Sequence, residues 1–172
     1  MAEQMPSAAE QFLVVGMSRY AEAYATVMAF EAAIRERVGE IASREGPRIP
    51  GTKSNVKVTS GVCNASGKEG RVAYAQFRGE LGGEGVKWEI GIWWQQPSAG
   101  KEIQLYAECC EGPERFTGSR WASVAKGNPE GFEAYVAGIG LRLEPGRDLT
   151  KGFRSLLDEV ARQSHALASK KS

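Results

Sequence analysis

Two glutamates in strand-like sequence, Glu89 in VKWEIGIWW and Glu108 in IQLYAECC, are the residues whose type and spacing could do chemistry. Both segments alternate apolar and polar residues, the period of a half-buried β-strand. Val86, Trp88, Ile90, Ile92 and Trp94 share one side of the first segment, and Ile103, Leu105, Ala107 and Cys109 share one side of the next. For both sets to face one core, opposed residue numbers must sum to an odd value. The short loop between them favours Gln95 opposite Glu102. That register places Trp94 by Ile103, Ile92 by Leu105 and Ile90 by Ala107. On the reverse face it places Trp93 by Gln104, Gly91 by Tyr106 and Glu89 by Glu108. The preceding strand, with Phe77 opposite Trp88 and Ala75 opposite Ile90, adds Gln76 beside Glu89, Arg78 by Lys87 and Tyr74 beside Gly91.

Like charges directly opposed on a sheet cost a few tenths to about 1 kcal/mol. A carboxylate pair of this kind can hold a metal, share a proton as an acid/base pair, or engage a cationic partner. The plainer alternative is two solvated glutamates neutralised by Arg71, Arg78 or Lys87. Two tyrosines flanking Gly91 either cover its bare backbone or leave a slot for a planar ligand. The candidate binding residues are therefore Glu89, Glu108, Trp93, Tyr74, Tyr106 and Gln104. No catalytic residue, metal-ligand set or cofactor is assigned.

Other chemistry finds less support. Gly61 to Glu69 (GVCNASGKE) has five spacers where a phosphate loop needs four, Glu69 where a hydroxyl must reach magnesium, and a strand where a helix should follow. Gly79 to Gly85 precedes no helix and reads as a hairpin turn. His165 is the single histidine, which excludes multi-histidine metal sites within one chain. Cys109 and Cys110 point to opposite faces, so neither a bridge nor a shared ligand suits them. Cys110 near Glu108 lacks the base that activates a thiol. The strand pair EIGIW and LYAEC is similar in its acid positions to restriction-type nuclease cores, but the acid-x-lysine position reads Glu108-Cys109-Cys110.

The elements that must position the pair follow from periodicity. Residues 8–44 carry Leu13, Met17, Tyr20, Tyr24, Val27, Ile34, Val38 and Ile41 in steps of 4 and 3, with Glu31 in the one slot that breaks the stripe. A single helix there would run about 55 Å. That exceeds a compact domain of this size, so part of it should overhang or pack on another subunit; the alternative is a break at Gly16, with Ser18 capping a restart. Gly46, Pro47, Pro50 and Gly51 end the helical pattern. Strands follow at about 55–62, 70–78, 86–95, 101–110 and 139–143, with Pro129–Val136 read as a turn of helix. Asp148 caps a last amphipathic helix over 148–168. The pattern predicts an α+β fold: an antiparallel β-meander of about five strands over 55–143, flanked by a long N-terminal and a C-terminal helix. One domain spans 1–172, with 1–7 and 169–172 frayed.

Composition bounds the function. The net charge of +1 exerts no global pull on nucleic acid or acidic lipid. Locally, residues 44–71 gather Arg44, Arg48, Lys53, Lys57, Lys68 and Arg71 against two glutamates. No apolar run reaches the ~20 residues of a membrane span. An odd count of cysteines and an N-terminus without a basic, apolar leader point to a cytoplasmic protein with reduced thiols. The helix–meander–helix order resembles, in outline, small bacterial secretion chaperones, a likeness of element order alone. The reading that follows is a non-enzymatic binding or adaptor protein, a homodimer acting through the aromatic, acidic sheet face. Its partner is another protein, or a second copy through residues 8–44, with nucleic acid drawn by the basic segment as the weaker alternative and no membrane. The competing readings are a metal-dependent, nuclease-like enzyme using Glu89 and Glu108, and a small-ligand module.

Overall fold

The computed structural model describes residues 7–65, 70–94, 103–117, 121, 130–134, 137–144 and 146–169. The expected loop at Pro97–Gly100 lies outside them, as do the expected frayed ends apart from Ser7 and Ser169. The chain divides into two units, one ending at Ile34 and the other beginning at Arg35.

The first unit is helical. Helix α1 (Ala8–Glu45) begins at a reciprocal cap, in which the Ser7 N–H donates to Glu10 Oε2 at 2.6 Å and the Glu10 N–H donates to Ser7 Oγ at 3.2 Å. The helix passes Gly16 and Ser18 without a break. One glycine costs about 1 kcal/mol relative to alanine, which the surrounding alanines and other good helix formers absorb. Tyr20 and Tyr24 stack one turn apart, their ring centroids 6.3 Å from each other.

The second unit has an α+β architecture. The end of α1 gives way to a 3-10 turn (Gly46–Arg48), because Pro47 cannot continue the ladder. Among the described residues six strands follow rather than five: β1 (Thr59–Asn64), β2 (Arg71–Leu81), β3 (Glu84–Trp94), β4 (Ile103–Glu111), β5 (Phe132–Ala134) and β6 (Gly138–Arg142). Their order is β1-β2-β3-β4-β6-β5, antiparallel throughout. A short helix α2 (Glu114–Thr117) follows β4, and helix α3 (Leu149–Ser169) is the last described element. The segment read as a helical turn over Pro129–Val136 holds β5 instead; three residues are too few to display an alternation. Ser119–Lys126 reads from sequence as a short strand or a helical turn; of it only Trp121 is described, and it is helical.

The β2–β3 hairpin is tighter than its glycines suggested. Gly82 and Gly83, with φ of 61° and 83°, form the two-residue turn alone. Successive positive φ values match the twist of the flanking strands, so Gly79 and Gly85 are left inside the ladder.

One face of the sheet carries the core. Phe77, Trp88, Ile90, Leu105 and Ile139 are buried there, together with Phe153, Leu156, Leu157 and Val160 of α3 and Val38 and Ile41 of α1. Trp121 meets Trp88 edge-on at 5.9 Å, and its indole N–H donates to the Phe116 carbonyl at 2.6 Å. The Asp148 carboxylate accepts from the Lys151 N–H at 2.8 Å and caps α3, as its sequence predicts. A side chain at Gly152 would begin 2.8 Å from Leu105 Cδ1, so the glycine lets α3 lie close on β4. Trp94 is the exception to the expected core row. It occupies the last position of β3 and is half-buried, because the apolar row ends there. No helix among the described residues is long and apolar enough to cross a membrane.

Glu45 ties the helical layer together. Its carboxylate, only 4% exposed, accepts from Arg44 Nε at 3.0 Å, Arg48 Nε at 2.9 Å and Arg154 Nη2 at 2.9 Å. The Arg154 hydrogen bond, opposed by burial and reinforced by Arg48 and Arg44, holds its pKa down at about 2 from 4.5. A depressed carboxylate stabilises the fold above its unfolded pKa, and that stability fades as pH falls from 4.5 through about 2. Glu45→Gln is expected to cost on the order of 1–2 kcal/mol at pH 7, allowing for solvent screening of the half-exposed guanidinium groups. Urea titrations at pH 7 and pH 2.5 check this: the gap between wild type and variant should narrow at the lower pH.

Candidate functional site

The strand register is the expected one. Glu89 opposes Glu108, Gly91 opposes Tyr106, Trp93 opposes Gln104, and on the other side Gln76 opposes Glu89 and Tyr74 opposes Gly91. Alternation therefore brings Tyr74, Glu89, Trp93, Gln104, Tyr106 and Glu108 onto the sheet face opposite the core. Tyr106 is 9% exposed, and the other five are half-buried.

Three cross-strand rows organise this face. The first runs Thr59, Gln76, Glu89, Glu108, Gly138. The second runs Gly61, Tyr74, Gly91, Tyr106, Gly140 and on to Glu133 of β5. The third runs Cys63, Val72, Trp93, Gln104, Arg142.

The middle row explains its own composition. A side chain at Gly91 would begin 2.6 Å from Tyr106 Oη, and one at Gly61 would begin 2.6 Å from Tyr74 Oη. Each tyrosine ring thus lies flat over the glycine of the neighbouring strand. The slot imagined between two tyrosines at Gly91 is filled by Tyr106 alone, because Tyr74 leans the other way, over Gly61.

The ring of Tyr106 also delivers its hydroxyl to the acidic row. Tyr106 Oη donates to Glu89 Oε1 at 2.7 Å, and Gln76 Nε2 donates to Glu89 Oε2 at 2.6 Å. Both oxygens of Glu89 are thereby engaged. Burial, followed by the Glu89 charge, holds the Tyr106 phenol well above its ordinary pKa, so it remains a donor. Glu108 has no hydrogen bond or ion pair among the described residues. Burial, and then the charge of Glu89, raise its pKa.

The anticipated neutralisation does not reach this pair. Arg78 and Lys87 approach Glu111 instead, at 3.7 and 3.6 Å, and Arg71 Nη1 donates to Asn64 Oδ1 at 2.7 Å. A bulge is responsible. Trp88 opposes Cys109, but Lys87 opposes Glu111, so Cys110 is the extra residue. Cys110 is exposed, with its Sγ 3.3 Å from the Lys87 carbonyl oxygen, and burial followed by the Glu89 charge raises its pKa. Cys109 faces the core, where burial pushes its thiol up to about 12. Neither thiol is activated. His165 is exposed on α3. Among the described residues, no three His, Cys, Asp or Glu side chains converge as a metal-binding group.

Of the two alternatives at Gly91, the structure takes the tyrosine cover, supplied by Tyr106. Sequence reasoning missed three features of this region: the placing of Tyr74 over Gly61, the capture of Glu89 by Tyr106 and Gln76, and the bulge, which left no signal in the sequence. No family model matches the chain, and neither a curated protein nor a solved structure proves similar to it.

Two substitutions separate these roles. Gly91→Ala would place a Cβ 2.6 Å from both Tyr106 Oη and the Ala73 carbonyl oxygen, the latter fixed backbone. It is expected to cost about 2–3 kcal/mol by overpacking, read by chemical denaturation. Glu108→Gln is expected to stabilise the fold at pH 7 by a few tenths to about 1 kcal/mol, the range for an opposed like-charge pair. Because the folded pKa is raised, the native state holds its proton longer than the unfolded chain, and stability declines as pH rises through that interval. The gain from Glu108→Gln should therefore shrink towards zero at pH 4, which thermal melts across pH 4–8 would reveal.

Proposed function

We propose that the chain is a non-enzymatic binding or adaptor protein that assembles as a homodimer through α1 and offers its Glu89/Glu108 face to a cationic partner segment. The observation that carries this reading is the exposed apolar surface of α1. Phe12, Leu13, Val14, Val15, Met17, Tyr20, Tyr24, Val27, Met28 and Phe30 are between 47% and 76% exposed.

These residues favour a second copy as the occupant. In heptad terms, Leu13, Tyr20, Val27 and Ile34 form one row of the seam, and Glu10, Met17, Tyr24 and Glu31 form the other. The flanking positions are Val14, Gly16, Ala21, Ala23, Met28 and Phe30, apolar or small enough for close helix approach. A parallel pair would set Glu31 against Glu31. An antiparallel pair centred near residue 22 sets Tyr20 against the partner's Tyr24, Met17 against the partner's Val27, and Leu13 against the partner's Glu31. That register stays clear of Val38 and Ile41, which are already buried. Each large apolar side chain contributes roughly 1.5–3 kcal/mol on full burial. A handful per protomer is enough to offset an association cost of about 4–15 kcal/mol.

The acidic face supports the second half of the reading. Glu89 is held in place by Tyr106 and Gln76, while Glu108 beside it has no counter-ion among the described residues. A lysine or arginine from a partner would relieve the repulsion between the two. A metal-dependent reaction would rest on these two carboxylates alone, with the oxygens of Glu89 already taken. The three unpaired cysteines are consistent with a reducing, cytoplasmic setting.

Sedimentation equilibrium at micromolar concentration tests the assembly. Wild type is expected to be dimeric, and Met17→Glu with Tyr24→Glu monomeric with reduced helix content, since an isolated helix of this kind frays. A clean wild-type monomer would sink the reading, and a larger or mixed assembly would replace the two-helix seam with another occupant.

A further inference from the structure

The segment between the 3-10 turn and β1 is pinned to β2 at both ends. Near its start, the Glu80 N–H donates to the Gly51 carbonyl at 3.1 Å. Gly51 has φ of 78°, and a Cβ there would fall 1.7 Å from the Glu80 carbonyl oxygen, so only glycine fits the clamp. At its end, Thr59 pairs with Gln76. Residues 51–59 thus span the stretch of β2 that residues 76–80 cover, and the surplus chain bows away from the strand. The space left between bow and strand is a cleft of about 730 Å³.

Its lining is cationic. Lys53 and Lys57 come from the bow, Arg78 from β2 and Lys87 from β3, against the single carboxylate of Glu80. Lys53 and Lys57 form no ion pair among the described residues, and Arg78 and Lys87 reach only to Glu111 beyond the lining, at 3.7 and 3.6 Å. Thr59 and Gln76 add neutral hydrogen-bonding groups at the end near the acidic face. The volume falls in the range of small-molecule sites, roughly 300–1,000 Å³.

From this geometry we infer that the cleft is a binding site for a run of phosphates, either the polyphosphate of a nucleoside di- or triphosphate or successive phosphodiesters of a nucleic-acid backbone. A single carboxylate ligand would meet only one or two of the four cations. A chain of two or three phosphates carries about the charge needed to balance four cations set against one carboxylate. Three of the four are lysines, compact point charges that bind phosphate without the planar geometry a carboxylate draws from arginine. The site lies wholly in the second unit and stands whether or not the chain dimerises.

Calorimetry and fluorescence anisotropy in low salt would test it with inorganic tripolyphosphate, ATP and a labelled single-stranded oligonucleotide. At least one probe is expected to bind wild type, and Lys53→Glu with Lys57→Glu to weaken it about tenfold or more. Lys151→Glu, on exposed α3, should leave binding unchanged. Equal affinity for tripolyphosphate and ATP would assign the ligand to a free phosphate compound. Much tighter binding of the oligonucleotide would assign it to nucleic acid. Absence of binding by all three at about 1 mM, or binding untouched by the double reversal in a variant with wild-type circular dichroism, would overturn the site.

Discussion

Because side chains alternate along a strand, a slip of one residue between β3 and β4 would carry Trp88, Ile90 and Ile92 out of the core and drive Glu89 into it. Each apolar side chain misplaced in this way forfeits roughly 1.5–3 kcal/mol, and each carboxylate buried without a partner costs more. Against a total stability of about 5–15 kcal/mol, no alternative register could compete. Everything on the reverse face inherits its position from this constraint. Glu89 and Glu108 are neighbours because the rows of the core require it, and their repulsion is small beside the burial it accompanies. The pair therefore needs no functional reason to exist, and its functional interest lies in how the molecule treats the two carboxylates differently.

That difference comes from glycine. A strand glycine normally weakens a sheet, yet Gly91 gives Tyr106 room to lie across β3, and only from there does the phenol reach Glu89. Gln76 approaches from β2 and completes the shell. Glu89 has both carboxylate oxygens hydrogen-bonded, and Glu108 is left half-buried beside it with a raised pKa. An arriving cation would therefore find one carboxylate preorganised and the other destabilised, so its binding energy would include relief of an existing strain.

Much of this was legible in the sequence, and the reason is parity. Alternation in Val86–Trp94 and Ile103–Cys109, joined by a short loop, leaves one register that keeps both apolar rows together, so Glu89, Glu108, Tyr106 and Gln76 could be placed on one face before any coordinates. Side-chain direction was not legible: nothing in the spacing says that Tyr74 covers Gly61 while Tyr106 covers Gly91. The bulge at Cys110 was equally hidden, since Glu111 beyond it fits either face by composition. β5 escaped because three residues cannot show a period. The unbroken α1 runs through Gly16 because one glycine could not outweigh the alanines and other helix formers along it. The reciprocal cap of Ser7 and Glu10 was readable as S-x-x-E and passed unnoticed.

The bulge also governs the charge map. In an unbulged ladder Lys87 would oppose Cys110, and Glu111 would oppose Val86, on the core side. The extra residue brings Glu111 onto the polar face, next to Lys87 and Arg78, where it tempers their charge at 3.6 and 3.7 Å without the close geometry of a strong pair. Those two cations are thereby kept from the Glu89/Glu108 pair. The outcome is a surface divided along the line from Gln76 to Lys87, with cations gathered in the cleft under the 51–59 bow and carboxylates in the row beside it. A near-neutral chain can in this way carry two neighbouring fields of opposite sign, because a single inserted residue decides which carboxylate the basic cluster meets.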